Sequence, residues 1–157
     1  MDYADVSTRL SQALDLATPP VALAFVVTSP AGVRTFAGEV PSACTLWRRA
    51  ETGVFFAPAV KHFNCPIGAL TMGFALPENV QQELQVAVTL MCDVGYIAPQ
   101  EPEQIPTTGK QAAGIIYGPL KDFPVAPDLI LVTQTPRQAM VFGEATGSAR
   151  WTTTAPT

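Results

Sequence analysis

The run Val21 to Thr28 (VALAFVVT) carries no charge and is bracketed by Thr18-Pro19-Pro20 and by Ser29-Pro30-Ala31-Gly32. An apolar run of that length, closed at both ends by turn residues, predicts a strand that is buried along most of its length. A second strand is predicted over Asp128 to Thr133, behind Pro127, and two weaker ones over Val54 to Val60 and Gln111 to Tyr117. Gly118-Pro119 and Phe123-Pro124 read as the turns that separate the last two strands.

Helical spacing fills the intervals. Tyr3, Val6, Leu10, Ala13 and Leu14 line one face of a helix whose start is favoured by Asp2 and Asp5. Ser42 reads as the cap of a second helix that buries Ala43, Leu46, Trp47 and Ala50 before Gly53. Leu76-Pro77-Glu78 opens a third, with Val80, Leu84, Ala87, Val88 and Met91 at helical spacing up to Gly95, and Pro136 opens a fourth over Pro136 to Ala145. Between them, Tyr96 to Gly109 holds Pro99, Pro102 and Pro106 and reads as an exposed loop, a candidate lid. The expected fold is one compact α+β domain over residues 1–145, with a mixed or antiparallel sheet and about four helices. Residues 146–157, rich in Thr, Ala and Pro, read as a flexible tail.

Charge narrows the partners. A net charge of −4 and nine dispersed Lys and Arg residues leave no basic stripe, which argues against nucleic acid. No apolar run reaches membrane-spanning length, and no basic amphipathic helix is present to lie on a lipid surface. A small molecule is the expected ligand. With 48% hydrophobic residues and 14% charged ones, the chain is also expected to keep apolar surface for a second subunit or a protein partner.

The polar knot Lys61-His62-Phe63-Asn64-Cys65, followed by Pro66 and a segment with Gly68 and Gly73, holds the one histidine and the central cysteine of the chain. Proline is accommodated in the first turn of a helix, so Pro66 places Cys65 at the cap, where free N–H groups stabilise a thiolate. Cys44 falls in the first turn of the Ser42 helix, and Cys92 lies four residues after Val88, on the inner side of its helix. An odd number of widely spaced cysteines argues against a disulfide framework and suits a reducing cytoplasm. Three inward thiolates from Cys44, Cys65 and Cys92 would hold a [4Fe-4S] cluster with one iron open to substrate, for Lewis-acid chemistry or electron transfer. Arg48, Lys61 and His62 are the candidates for positioning the substrate. With His62 as fourth ligand the same cysteines would instead bind zinc. The plain alternative has no cofactor: the cysteines are core residues of a non-catalytic module that binds a small molecule or protein.

Taken together, Pro19-Pro20-Val21-Ala22-Leu23, the helix-borne Cys44, His62-x-x-Cys65, Pro127-Asp128-Leu129-Ile130-Leu131 and Thr135-Pro136-Arg137-Gln138-Ala139-Met140 resemble an uncharacterised prokaryotic family, domain of unknown function 169. The resemblance runs from about Leu10 to Ala145. It implies a compact α+β domain of prokaryotic origin and implies no reaction.

Overall fold

The computed structural model describes residues 1–147. The expected tail therefore falls, from residue 148 onward, outside the described residues. Four strands form one sheet in the order β2-β3-β1-β4, where β1 is Val21–Val26, β2 is Phe55–Pro58, β3 is Gly114–Pro119 and β4 is Leu129–Leu131. Every pairing is antiparallel, with Leu23 opposite Tyr117 in β1–β3, Phe55 opposite Tyr117 in β2–β3 and Ala22 opposite Ile130 in β1–β4. The expected α+β class and the four expected strands are thus present in a single sheet. Gly118-Pro119 closes β3 rather than turning the chain towards β4, because β1 lies between those two strands.

The described residues form five α-helices: α1 (Tyr3–Leu14), α2 (Leu46–Arg49), α3 (Pro66–Thr71), α4 (Glu78–Asp93) and α5 (Pro136–Ala145). Asp2 caps α1 by accepting hydrogen bonds from the N–H groups of Ala4 and Asp5. At α5, Thr135 and Gln138 form a reciprocal capping box with Pro136 at the first position. The helix expected between Ser42 and Gly53 is instead a 3-10 turn, Ala43–Thr45, followed by the single α turn of α2. Ser42 caps that turn, as expected, and the Thr45 hydroxyl donates back to the Ser42 carbonyl, which holds the chain in the tighter winding. Strand β2 likewise stops at Pro58, whose ring removes the ladder N–H; the chain then winds into a 3-10 turn over Ala59–His62.

Strand alternation sorts the core into two. On one face Val21, Leu23, Phe55, Ala57, Ile115 and Tyr117 pack with Leu46, Ala50, Ala69, Phe74 and Leu76 of the covering segments. On the other, Ala22, Ala24, Phe56 and Ile116 pack with Leu120, Phe123 and the α1 residues Tyr3 and Val6. All six residues of β3 are buried. Helix α4, by contrast, has no fully buried residue; Val86 and Leu90 are exposed on it, as is Val94 at its C-cap.

Because Ile116 is completely buried at the centre of the second core, Ile116→Ala is expected to cost about 3 kcal/mol in unfolding free energy, as large-to-small changes at closed sites do. Urea denaturation checks this. A loss below about 1 kcal/mol would show that α1 does not seal that face.

Candidate functional site

The turn between β2 and α3 and the segment before α2 meet at the edge of the first core. Asn64 joins them: its Oδ1 accepts the Ala43 N–H at 2.9 Å and its Nδ2 donates to the Val40 carbonyl at 2.9 Å. Cys44 follows Ala43 and Cys65 follows Asn64, so this two-sided amide clamp brings the thiols together. Their sulfurs stand 3.2 Å apart.

Cys65 is the N-cap of α3, and its carbonyl accepts the Ala69 N–H at 2.9 Å while Pro66 takes the first helical position, as the sequence predicts. Gly68 lies one turn on, beneath the sulfurs. A Cβ there would stand 3.0 Å from Cys65 Sγ and 3.9 Å from Cys44 Sγ, so a glycine leaves the pair room that any side chain would take.

The two thiols differ in setting. Cys44 is exposed and Cys65 half-buried. The Cys65 hydrogen bond, followed by Ser42, holds the Cys44 thiol below its ordinary pKa, against the smaller opposing effect of burial. Either sulfur can donate in the S–H···S contact, and the lowered pKa makes Cys44 the thiol that ionises more readily than an ordinary cysteine.

Behind the thiols lies His62, which is fully buried. Its Nδ1 faces the Pro58 carbonyl at 3.2 Å and its Nε2 faces the Tyr117 hydroxyl at 3.0 Å. A carbonyl can only accept, so Nδ1 carries the hydrogen and Nε2 accepts from Tyr117. Burial lowers the His62 pKa, more than its two backbone contacts raise it, which keeps the ring neutral. Tyr117 is pushed upward, first by burial and then by the charge of Cys44. Its hydroxyl therefore stays protonated and lies within electrostatic reach of that thiol.

The other expected site residues sit elsewhere. Lys61 donates to the Gly38 carbonyl and to Glu39, each at 3.2 Å, which ties down the chain ahead of Cys44. Arg48 is exposed on α2 and lies over the Trp47 ring at 5.4 Å. Cys92 is half-buried in the last turn of α4. Among the described residues, no three His, Cys, Asp or Glu side chains are grouped so as to hold a metal ion, so Cys92 and His62 do not join the Cys44–Cys65 pair in such a group. The structure adds Asn64 and Tyr117, which the sequence reading did not single out. Tyr117 is 55 residues from His62, and only the β2–β3 register brings the two together.

Along the flank of α3 runs an apolar cleft of about 430 Å³, bounded by Ile67, Leu70, Val88, Met91, Tyr96 and Ile105. The loop expected to be a lid forms its outer wall. Thr108 pins the far end of that loop to α3, its N–H donating to the Thr71 carbonyl and its hydroxyl to the Met72 carbonyl.

A family model, DUF169 (Uncharacterised ArCR, COG2043), matches residues 9–154. The chain belongs to the DUF169 family. No curated protein and no solved structure matches it. Among the described residues of this DUF169 chain, no helix is long and apolar enough to cross a membrane.

Since Cys65 is the main cause of the lowered Cys44 pKa, the rate of Cys44 alkylation by iodoacetamide is expected to rise with pH at a midpoint below that of an ordinary thiol. In Cys65→Ala, which removes the hydrogen bond to the Cys44 sulfur and puts no other donor in its place, the midpoint is expected to move up. An unchanged midpoint would show that the contact does not control Cys44.

Proposed function

We propose that Cys44 and Cys65 form a redox-active dithiol that exchanges with disulfides of small molecules. The observation that carries this is the 3.2 Å approach of an exposed, activated thiol to a sheltered second thiol. A disulfide bond is about 2.05 Å long, so closure needs a movement of about 1 Å and no refolding. The Cys44 thiolate attacks one sulfur of the external disulfide; a Cys44 mixed disulfide forms and a thiolate leaves. Cys65 then gives up its proton and attacks the Cys44 sulfur, which forms the internal disulfide and releases the second thiol. Two electrons and two protons pass from the pair to the external disulfide.

A second reading keeps the metal. Two neighbouring thiols suit a soft metal ion or the edge of an iron–sulfur cluster, and Gly68, which has no side chain, leaves the Cys65 sulfur uncrowded. Two thiolates on one tetrahedral ion stand about 3.8 Å apart, which the pair reaches by opening about half an ångström. A [4Fe-4S] cluster with Cys92 as third ligand requires the last turn of α4 to approach the pair, as does zinc with His62 and all three cysteines.

Equilibration of purified protein in glutathione buffers of graded ratio, followed by acid quench, thiol labelling and peptide mass mapping, tests the first reading. A Cys44–Cys65 disulfide is expected to appear cooperatively, with Cys92 remaining labelled. Protein that forms only mixed disulfides with glutathione at Cys44, at every ratio, would contradict it. Iron and sulfide bound in stoichiometric amounts after anaerobic purification, and lost in Cys92→Ser, would favour the cluster.

A further inference from the structure

We propose that Tyr117 and His62 are positioning residues of the thiol pair, and that their hydrogen bond sets how readily Cys44 and Cys65 join. This rests on the dithiol reading and adds the device that tunes it.

The geometry forms a continuous path. Tyr117 is fixed at the centre of the sheet, paired with Leu23 on one side and Phe55 on the other, and its ring stacks on Phe55 with centroids 5.5 Å apart. Its hydroxyl holds the His62 ring. The His62 ring in turn packs against Phe74, at 4.8 Å between centroids, so the segments before and after α3 are gripped by one imidazole. From the backbone of His62 the path continues to the first thiol, because the His62 carbonyl accepts the Cys65 N–H at 3.0 Å. Asn64, inside the same turn, extends it to Ala43 and hence to Cys44. Both sulfurs therefore hang from a turn whose side-chain anchor in the sheet is the Nε2···H–O bond.

His62 has no access to solvent and both ring nitrogens are engaged. A buried imidazole committed in this way is not placed to take a proton from an external substrate. What it can do is hold a distance. The bond from Tyr117 leaves no buried polar atom of the pair unsatisfied, and loss of the hydroxyl strands Nε2. The turn would then relax away from β3, with the sulfurs drawing apart.

The test is the Tyr117→Phe variant, which keeps the stacked ring and removes the hydroxyl. The control is Ile116→Val, a mild destabilisation on the opposite face of the sheet. In Tyr117→Phe the equilibrium constant for the Cys44–Cys65 disulfide in glutathione buffers is expected to fall about tenfold, about 30 mV, while Ile116→Val stays within twofold of wild type. An unchanged constant in Tyr117→Phe overturns the proposal. An equal change in both variants overturns it as well, because it would mark general loosening.

Alkylation of Cys44 at pH 7.5 supplies a readout that does not need the disulfide. It is expected to slow severalfold in Tyr117→Phe, since the Cys65 contact that favours the thiolate weakens. If wild-type protein forms no internal disulfide, the dithiol function fails, and this rate alone decides the positioning role. A rate within a factor of 1.5 of wild type then overturns it. Should Tyr117→Phe not fold, His62→Gln, which removes the ring from the same path, is read by the same criteria.

Discussion

The sheet has little polar surface to offer water, and the rest of the architecture follows from that constraint. Strand β3 is buried at every position and β1 at its first four. Such strands are stable only when both faces are covered. Helix α1 and the Leu120–Phe123 segment cover one face; α2, α3 and the Phe74–Leu76 segment cover the other. To reach its place, the chain leaving β2 must reverse within a few residues and start α3 against the first core. That reversal is the turn that carries His62, Asn64 and Cys65. The thiol site is thus a by-product of how the first core is closed, and its rigidity is borrowed from the centre of the sheet.

Polarity is concentrated where the core needs it least and the site uses it most. A buried neutral imidazole in the closing turn meets a buried phenol from β3, while the exposed Asn64 amide ties the turn to the chain ahead of Cys44, each with its partners supplied. Buried polar groups arranged in this way contribute little net stability but make alternative packings costly. The exposed thiol lies at the outer end of this network, where water screens its charge. The sheltered thiol lies half-buried beside it, in S–H···S contact. The asymmetry assigns the order of attack in a thiol exchange: Cys44 meets the external sulfur and Cys65 resolves.

The elements that were legible in the sequence are those governed by local rules. Strand β1 between its prolines, α1 behind Asp2, α4 with its period of apolar residues, and α5 behind Pro136 all lie within a residue or two of their expected bounds. The cap position of Cys65 was legible for the same reason, through Pro66. The helix after Ser42 was overextended, because competition from the Thr45 hydroxyl is a matter of side-chain geometry that periodicity does not register. The partnership of β3 with β1 rather than β4 depends on long-range pairing, and so does the meeting of His62 with Tyr117. Cys44 and Cys65 were both marked as site residues, but the reason they meet, the Asn64 clamp, was not visible. Asn64 in a polar run looks like any turn residue.

Dithiol chemistry requires that Cys44 and Cys65 be a bridgeable, accessible pair in the folded protein. Phenylarsine oxide measures this directly, since a trivalent arsenical forms a stable ring only with two thiols close enough to share one arsenic atom. Intact mass spectrometry of native, reduced protein is expected to show one phenylarsenic adduct per chain, retained in Cys92→Ser and lost in both Cys44→Ser and Cys65→Ser. An adduct that depends on Cys92, or no adduct on the wild-type chain, would contradict it.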